Sequence, residues 1–122
     1  MNNNDFQSLL RSASRFKNAA DEKKYLDMIG NLDNFVKDMF QITFGNRISN
    51  QLEKFVPVYL ECGGTIDEAV DIMFSRKILR KLEGIYDEDT KTKLDMLKDE
   101  IEGKNYKMPI TIAAILRMIE KI

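Results

Sequence analysis

The sequence predicts an all-α fold, an irregular bundle of about five to six helices, and three observations carry that prediction. Apolar residues recur at three- and four-residue spacing along almost the whole chain, and alternating β-branched runs are missing. Only two prolines and six glycines interrupt the 122 residues. The length fits one helical domain over residues 1–122, burying roughly two thirds of the surface that the unfolded chain exposes.

A first helix is expected from Asn4 or Asp5, which can cap free amides, with Phe6, Leu9, Leu10, Ala13 and Phe16 on one stripe. After a break at Ala19-Ala20, a second helix restarts at Asp21 and carries Tyr25, Leu26, Ile29, Leu32, Phe35, Val36, Met39 and Phe40; Gly45 is expected to end it. The third opens at the cap residue Asn46 and presents Ile48, Leu52, Phe55, Val56, Tyr59 and Leu60 as far as Gly63-Gly64. Pro57 lies inside that run, removes one backbone donor, and is expected to kink the helix or end it early, near Glu53.

Thr65-Ile66-Asp67-Glu68 reads as a capping box, so a fourth helix starts there and runs to Gly84, with Ile85 making the apolar contact beyond a glycine cap. A polar, acidic turn follows at 86–90. The fifth helix, about 89–102, shows only Leu94, Leu97 and Ile101, a narrow stripe that suits a peripheral element closed by Gly103. Thr111 is expected to cap a last helix whose Ile112, Ile115, Leu116, Ile119 and Ile122 form a broad apolar face needing a partner inside or outside the chain. The polar connections on either side of the fifth helix make 86–122 a candidate semi-independent hairpin.

Composition excludes much chemistry. Nineteen Lys and Arg against 20 Asp and Glu leave a net charge of −1, so no global field draws the chain to nucleic acid, and direct nucleic-acid binding is disfavoured. With no histidine there is no imidazole base, no Ser-His or Cys-His pair and no His ligand for zinc. Cys62 stands alone, which rules out an internal disulfide and points to a buried, inert thiol in a reducing interior. The near-apolar stretches 55–60 and 109–116 fall far short of the roughly 20 residues that span a bilayer. The start Met1-Asn2-Asn3-Asn4 has no signal-peptide pattern, so a cytoplasmic chain without a membrane role is expected.

No phosphate-binding loop is present, since the only Gly-Lys pair, Gly103-Lys104, is followed by Asn105. The acidic groups Asp67/Glu68, Asp87-Glu88-Asp89 and Asp99/Glu100 read as first-turn or solvated charges, and 87–89 lacks calcium-loop spacing. No catalytic residue, metal or cofactor is expected on this chain alone.

Two cationic groups remain. Phe44-Gly45-Asn46-Arg47-Ile48 places Asn46 and Arg47 in the first turn of a helix, where the macrodipole already disfavours a cation. A guanidinium beside exposed helix-start amides and a permissive glycine suits a phosphate; the plainer alternative pairs Arg47 with a carboxylate or leaves it in water. Arg76, Lys77, Arg80 and Lys81 occupy i, i+1, i+4 and i+5, one basic helix face that serves either as a partner or nucleic-acid surface or simply as a solvated face.

The stretch Phe44 to Tyr59, then Cys62-Gly63-Gly64, Glu68-Ala69-Val70-Asp71 and Arg76 to Glu83, resembles the helical lid of bacterial AAA+ ATPases, closest to the McrB-like branch of modification-dependent restriction. The resemblance covers about 40 residues and implies a lid that closes over nucleotide and relays its state to neighbouring subunits, with Arg47 at the position of the sensor-2 arginine. It further implies that ATP or GTP with Mg is held by a P-loop ATPase domain outside this sequence. The contrasting expectation is a small standalone helical interaction or regulatory protein, in phage defence or counter-defence, that binds a protein partner through the 112–122 face or the Arg76 to Lys81 patch.

Overall fold

A computed structural model describes residues 16, 19–82 and 88–122, and within them every regular element is an α-helix. The expected helix from Asn4 to Phe16, apart from Phe16 itself, and the cap at Gly84 and Ile85 lie outside the described residues.

Helix α1 (Ala19–Phe40) includes Ala19 and Ala20 ahead of Asp21, because both are strong helix formers and extend the helix rather than break it. Tyr25, Met28, Leu32 and Val36 form its buried stripe. The helix ends at Phe40, and Gln41 takes the left-handed conformation, φ 55°, that was expected of Gly45. Gly45 instead opens α2 (Gly45–Glu61) at φ +70°, a backbone angle that costs a residue with a Cβ about 1 kcal/mol or more.

Helix α2 runs through Pro57 to Glu61, so the early end near Glu53 does not occur. Its exit is a paired-glycine turn: Gly63 N–H donates to the Leu60 carbonyl at 3.0 Å and Gly64 N–H to the Tyr59 carbonyl at 3.1 Å. A Cβ on Gly64 would collide with the Tyr59 ring, which lies against it. Cys62, at this C-terminal cap, is exposed and not buried as its residue type led one to expect, because the cap lies beyond the apolar stripe of α2.

Thr65 caps α3 (Ile66–Lys77) by accepting the Glu68 N–H at 3.1 Å. The return bond of the box differs from expectation: the Glu68 carboxylate accepts from the Thr65 hydroxyl at 3.0 Å. The single helix expected from here to Gly84 is two, since a turn at Ile78 separates α3 from the four-residue α4 (Leu79–Leu82). There the bonding tightens, with Lys81 N–H reaching the Ile78 carbonyl at 3.0 Å.

Helices α5 (Glu88–Gly103) and α6 (Pro109–Glu120) complete the bundle. Leu94, Leu97 and Ile101 of α5 are fully buried, so its narrow stripe is core rather than periphery. The broad face of α6 finds its partner within the chain: Ile115 and Met118 are buried and Ile112, Ile119 and Ile122 pack against the same core, while Leu116 stays 45% exposed. Helix α3 is the hub, packing against α1, α2, α4 and α6, and α5 packs against α1 and α6.

Two buried carboxylates on α3 organise the α5–α6 connection. Asp71, 2% exposed, accepts the Thr111 N–H at 2.7 Å and the Ile110 N–H at 2.9 Å, one on each oxygen. With Pro109 at the first helical position carrying no N–H, the open amides of α6 are satisfied from another helix. The helix therefore starts before Thr111; that residue is fully buried, and its hydroxyl donates to the Asp71 carbonyl at 3.3 Å. Asp67 accepts the Lys107 N–H at 2.8 Å on Oδ2, while Oδ1 meets the Lys24 ammonium of α1 at 2.8 Å. Burial pushes the Asp67 carboxyl upward, but Lys24 and the Lys107 amide outweigh it and hold the group below its ordinary value.

Candidate functional site

The opposite end of α3 carries the charge of the other sign. The approach to α2 is tied down first: Asp33 of α1 accepts the Phe44 N–H at 2.9 Å. The buried Phe44 ring meets Phe74 of α3 edge-on at a centroid distance of 6.0 Å. Gly45 then turns the chain into α2, so the first turn of α2 sits beside the C-terminal end of α3 and the start of α4.

Arg47 and Lys77, 30 positions apart in sequence, consequently line one depression of about 510 Å³ together with Gly45, Asn46, Gln51 and Lys81. Arg47 is exposed, as are Asn46, Lys77 and Lys81. The Lys81 ammonium donates to the Thr43 carbonyl at 3.5 Å, a long contact that leans it over the α1–α2 connection. The cap position of α2 falls to Phe44, which offers no side-chain cap bond and whose own N–H Asp33 already occupies, so Asn46 lies inside the helix and is not its cap.

A larger groove of about 1000 Å³ adjoins this depression, sharing Gln51 and Lys77 with it, and runs between α2 and α3. Lys54, Arg76 and Arg80 edge it; Phe55, Val58, Ile72 and Met73 provide its apolar lining. The two cationic groups read separately in the sequence therefore form one surface. The break at Ile78 leaves Arg76 and Arg80 on the groove, sends Lys81 to the smaller depression and puts Lys77 between them.

Among the described residues no carboxylate lines either hollow, and none forms an ion pair with Arg47, Lys54, Arg76, Lys77 or Arg80. The first turn of α2 likewise holds no acid. Among the described residues no three of Cys, Asp and Glu gather as metal ligands, and no helix is long and apolar enough to cross a membrane.

Lys54, Phe55 and Val58 were not legible as site residues from composition. A periodic signal does mark the face: Arg47, Gln51, Lys54 and Val58 follow 4-3-4 spacing, a stripe opposite the buried Ile48, Leu52 and Val56. It goes unnoticed because Val58 reads as one more apolar residue of a core helix, whereas it is 60% exposed.

No curated protein and no solved structure shows significant similarity to the chain. The model of one family, described as a domain of unknown function (DUF8727), matches residues 2–122, and the chain belongs to that family.

Proposed function

We propose that this protein is a non-catalytic helical binding module that meets an anionic partner on the face where α2, α3 and α4 converge. One observation carries the reading. In a chain whose 19 cations and 20 acids nearly cancel, the described residues lining two adjoining hollows include Arg47, Lys54, Arg76, Lys77, Arg80 and Lys81 and no carboxylate. Cations gathered without counter-charges repel one another, and the potential they create in a concave surface attracts anions and speeds their encounter. With no histidine in the chain and no carboxylate among the described residues of this face, those residues offer none of the common general bases, which favours binding over catalysis.

The test is titration calorimetry with poly-L-glutamate at low salt, using the parent and the double variant Arg76→Glu/Arg80→Glu. Two reversed contacts should weaken binding about tenfold or more and leave the thermal midpoint within a few degrees. Absent binding by the parent, or equal affinity of both proteins, overturns the reading.

A second reading, the lid of a AAA+ nucleoside triphosphatase, is favoured by Arg47, which is exposed in the opening turn of α2 with Lys77 and Lys81 beside it. On that reading Arg47 lends charge to the terminal phosphate of ATP or GTP with Mg, held by a P-loop domain and neighbouring subunits. The Asp33 carboxylate on the Phe44 N–H weighs against it, since it occupies an amide that a phosphate would use. Its test is turnover by the assembly containing such a domain: Arg47→Ala should lower it about tenfold or more without changing the thermal midpoint. Unchanged turnover removes the lid role.

A further inference from the structure

We propose that the groove between α2 and α3 receives an amphipathic helix of a protein partner, apolar along one stripe and acidic along its flanks. The inference rests on the anionic-partner reading and names the occupant. A bare anion site does not require an apolar lining, yet Phe55, Val58, Ile72 and Met73 line this groove, and Val58 at 60% exposure is the most exposed large apolar residue described. An apolar strip edged by Lys54 on α2 and by Arg76 and Arg80 beyond it matches, in negative, a helix with apolar residues at i, i+3, i+4 and i+7 and carboxylates beside them. Buried apolar contact would supply most of the affinity, the cations the orientation and the on-rate. Met73 adds a side chain that adapts to an incoming one.

Other occupants fit less well. A nucleic acid wants aromatic faces for its bases, but among the described lining residues the one ring, Phe55, already packs against Tyr59 at 5.5 Å. The chain's own first 17 residues carry Arg11, Arg15 and Lys17 against Asp5 alone, so they would bring like charge to a cationic edge. A two-fold pairing of copies through this groove would set the same cations face to face.

The experiment uses the full chain and a synthetic 18-residue helix of Leu and Glu, with Leu at the i, i+3, i+4, i+7 positions. The controls are a peptide of the same composition in scrambled order, poly-L-glutamate and a 20-base-pair DNA duplex. The amphipathic peptide should bind about tenfold more tightly than each control, and Val58→Glu, at an exposed position, should lose about tenfold in affinity with the fold intact by circular dichroism. If poly-L-glutamate or the scrambled peptide binds as tightly and Val58→Glu changes nothing, the helical occupant is overturned while the anionic reading stands. Tighter binding of the duplex, or sedimentation showing that the groove pairs two copies in a Val58-dependent way, also overturns it. If no anion binds, both proposals fall.

Discussion

The two ends of α3 treat charge in opposite ways. Near its N-terminus, Asp67 and Asp71 are 5% and 2% exposed, and their oxygens hold Lys24 and three backbone amides of the 107–111 segment. Near its C-terminus, Arg76 and Lys77 are exposed and pair with no described residue. Ionised groups are costly to bury unless hydrogen bonds replace their water, so the acid end is charge committed to the fold. The basic end stays exposed to water, which places architecture at one end of the helix and the proposed recognition surface at the other.

Substitutions at the two ends should therefore differ in kind. The largest effect is expected for Asp71→Ala, which leaves two amides of α6 without a partner and should cost about 3 kcal/mol in urea unfolding. Asp71→Asn, which keeps one acceptor oxygen, should cost less. A cost below about 1 kcal/mol for the alanine variant would mean that water caps α6 equally well.

Asp67 gives an intermediate, pH-dependent effect. Its carboxyl is held below the ordinary value in the folded chain, so its contribution is complete above the unfolded value of about 3.9 and is lost as pH falls through the lower folded value. The stability advantage of the parent over Asp67→Asn should therefore shrink between about pH 5 and pH 2, measured by urea unfolding at each pH. An advantage constant with pH would show that the Lys24 contact does not favour the charged form.

The smallest effect on stability belongs to the basic end. Arg76→Glu/Arg80→Glu should change the unfolding free energy by about 0.5 kcal/mol or less, since exposed charges contribute little. A larger loss would make these arginines part of the architecture and erase the contrast between the two ends.

Local rules reached most of the elements. The 3-4 stripes of α1 and α2 and the Thr65 cap depend on residues within a few positions of one another, and such interactions are legible in any window of sequence. Backbone details that several weak preferences decide together differ from expectation: the first long helix ends at Phe40 before a left-handed Gln41 and not at Gly45, which is left-handed too but opens α2, and α2 continues past Pro57. One missing hydrogen bond there is outweighed by burial of Ile48, Leu52 and Val56 along the same helix.

The sequence by itself determined that the chain is helical, that it lacks imidazole chemistry, and that Arg47 and the 76–81 cations stand on helix faces. Only tertiary structure decided that Asp71 caps a helix 39 and 40 positions away, that Cys62 faces solvent, and that Arg47, Lys77 and Lys81 share a hollow. The physical reason is one of range. Helical periodicity and capping act over three or four residues, whereas trans-capping and charge clustering follow from how α2, α3 and α6 pack, which no local spacing records.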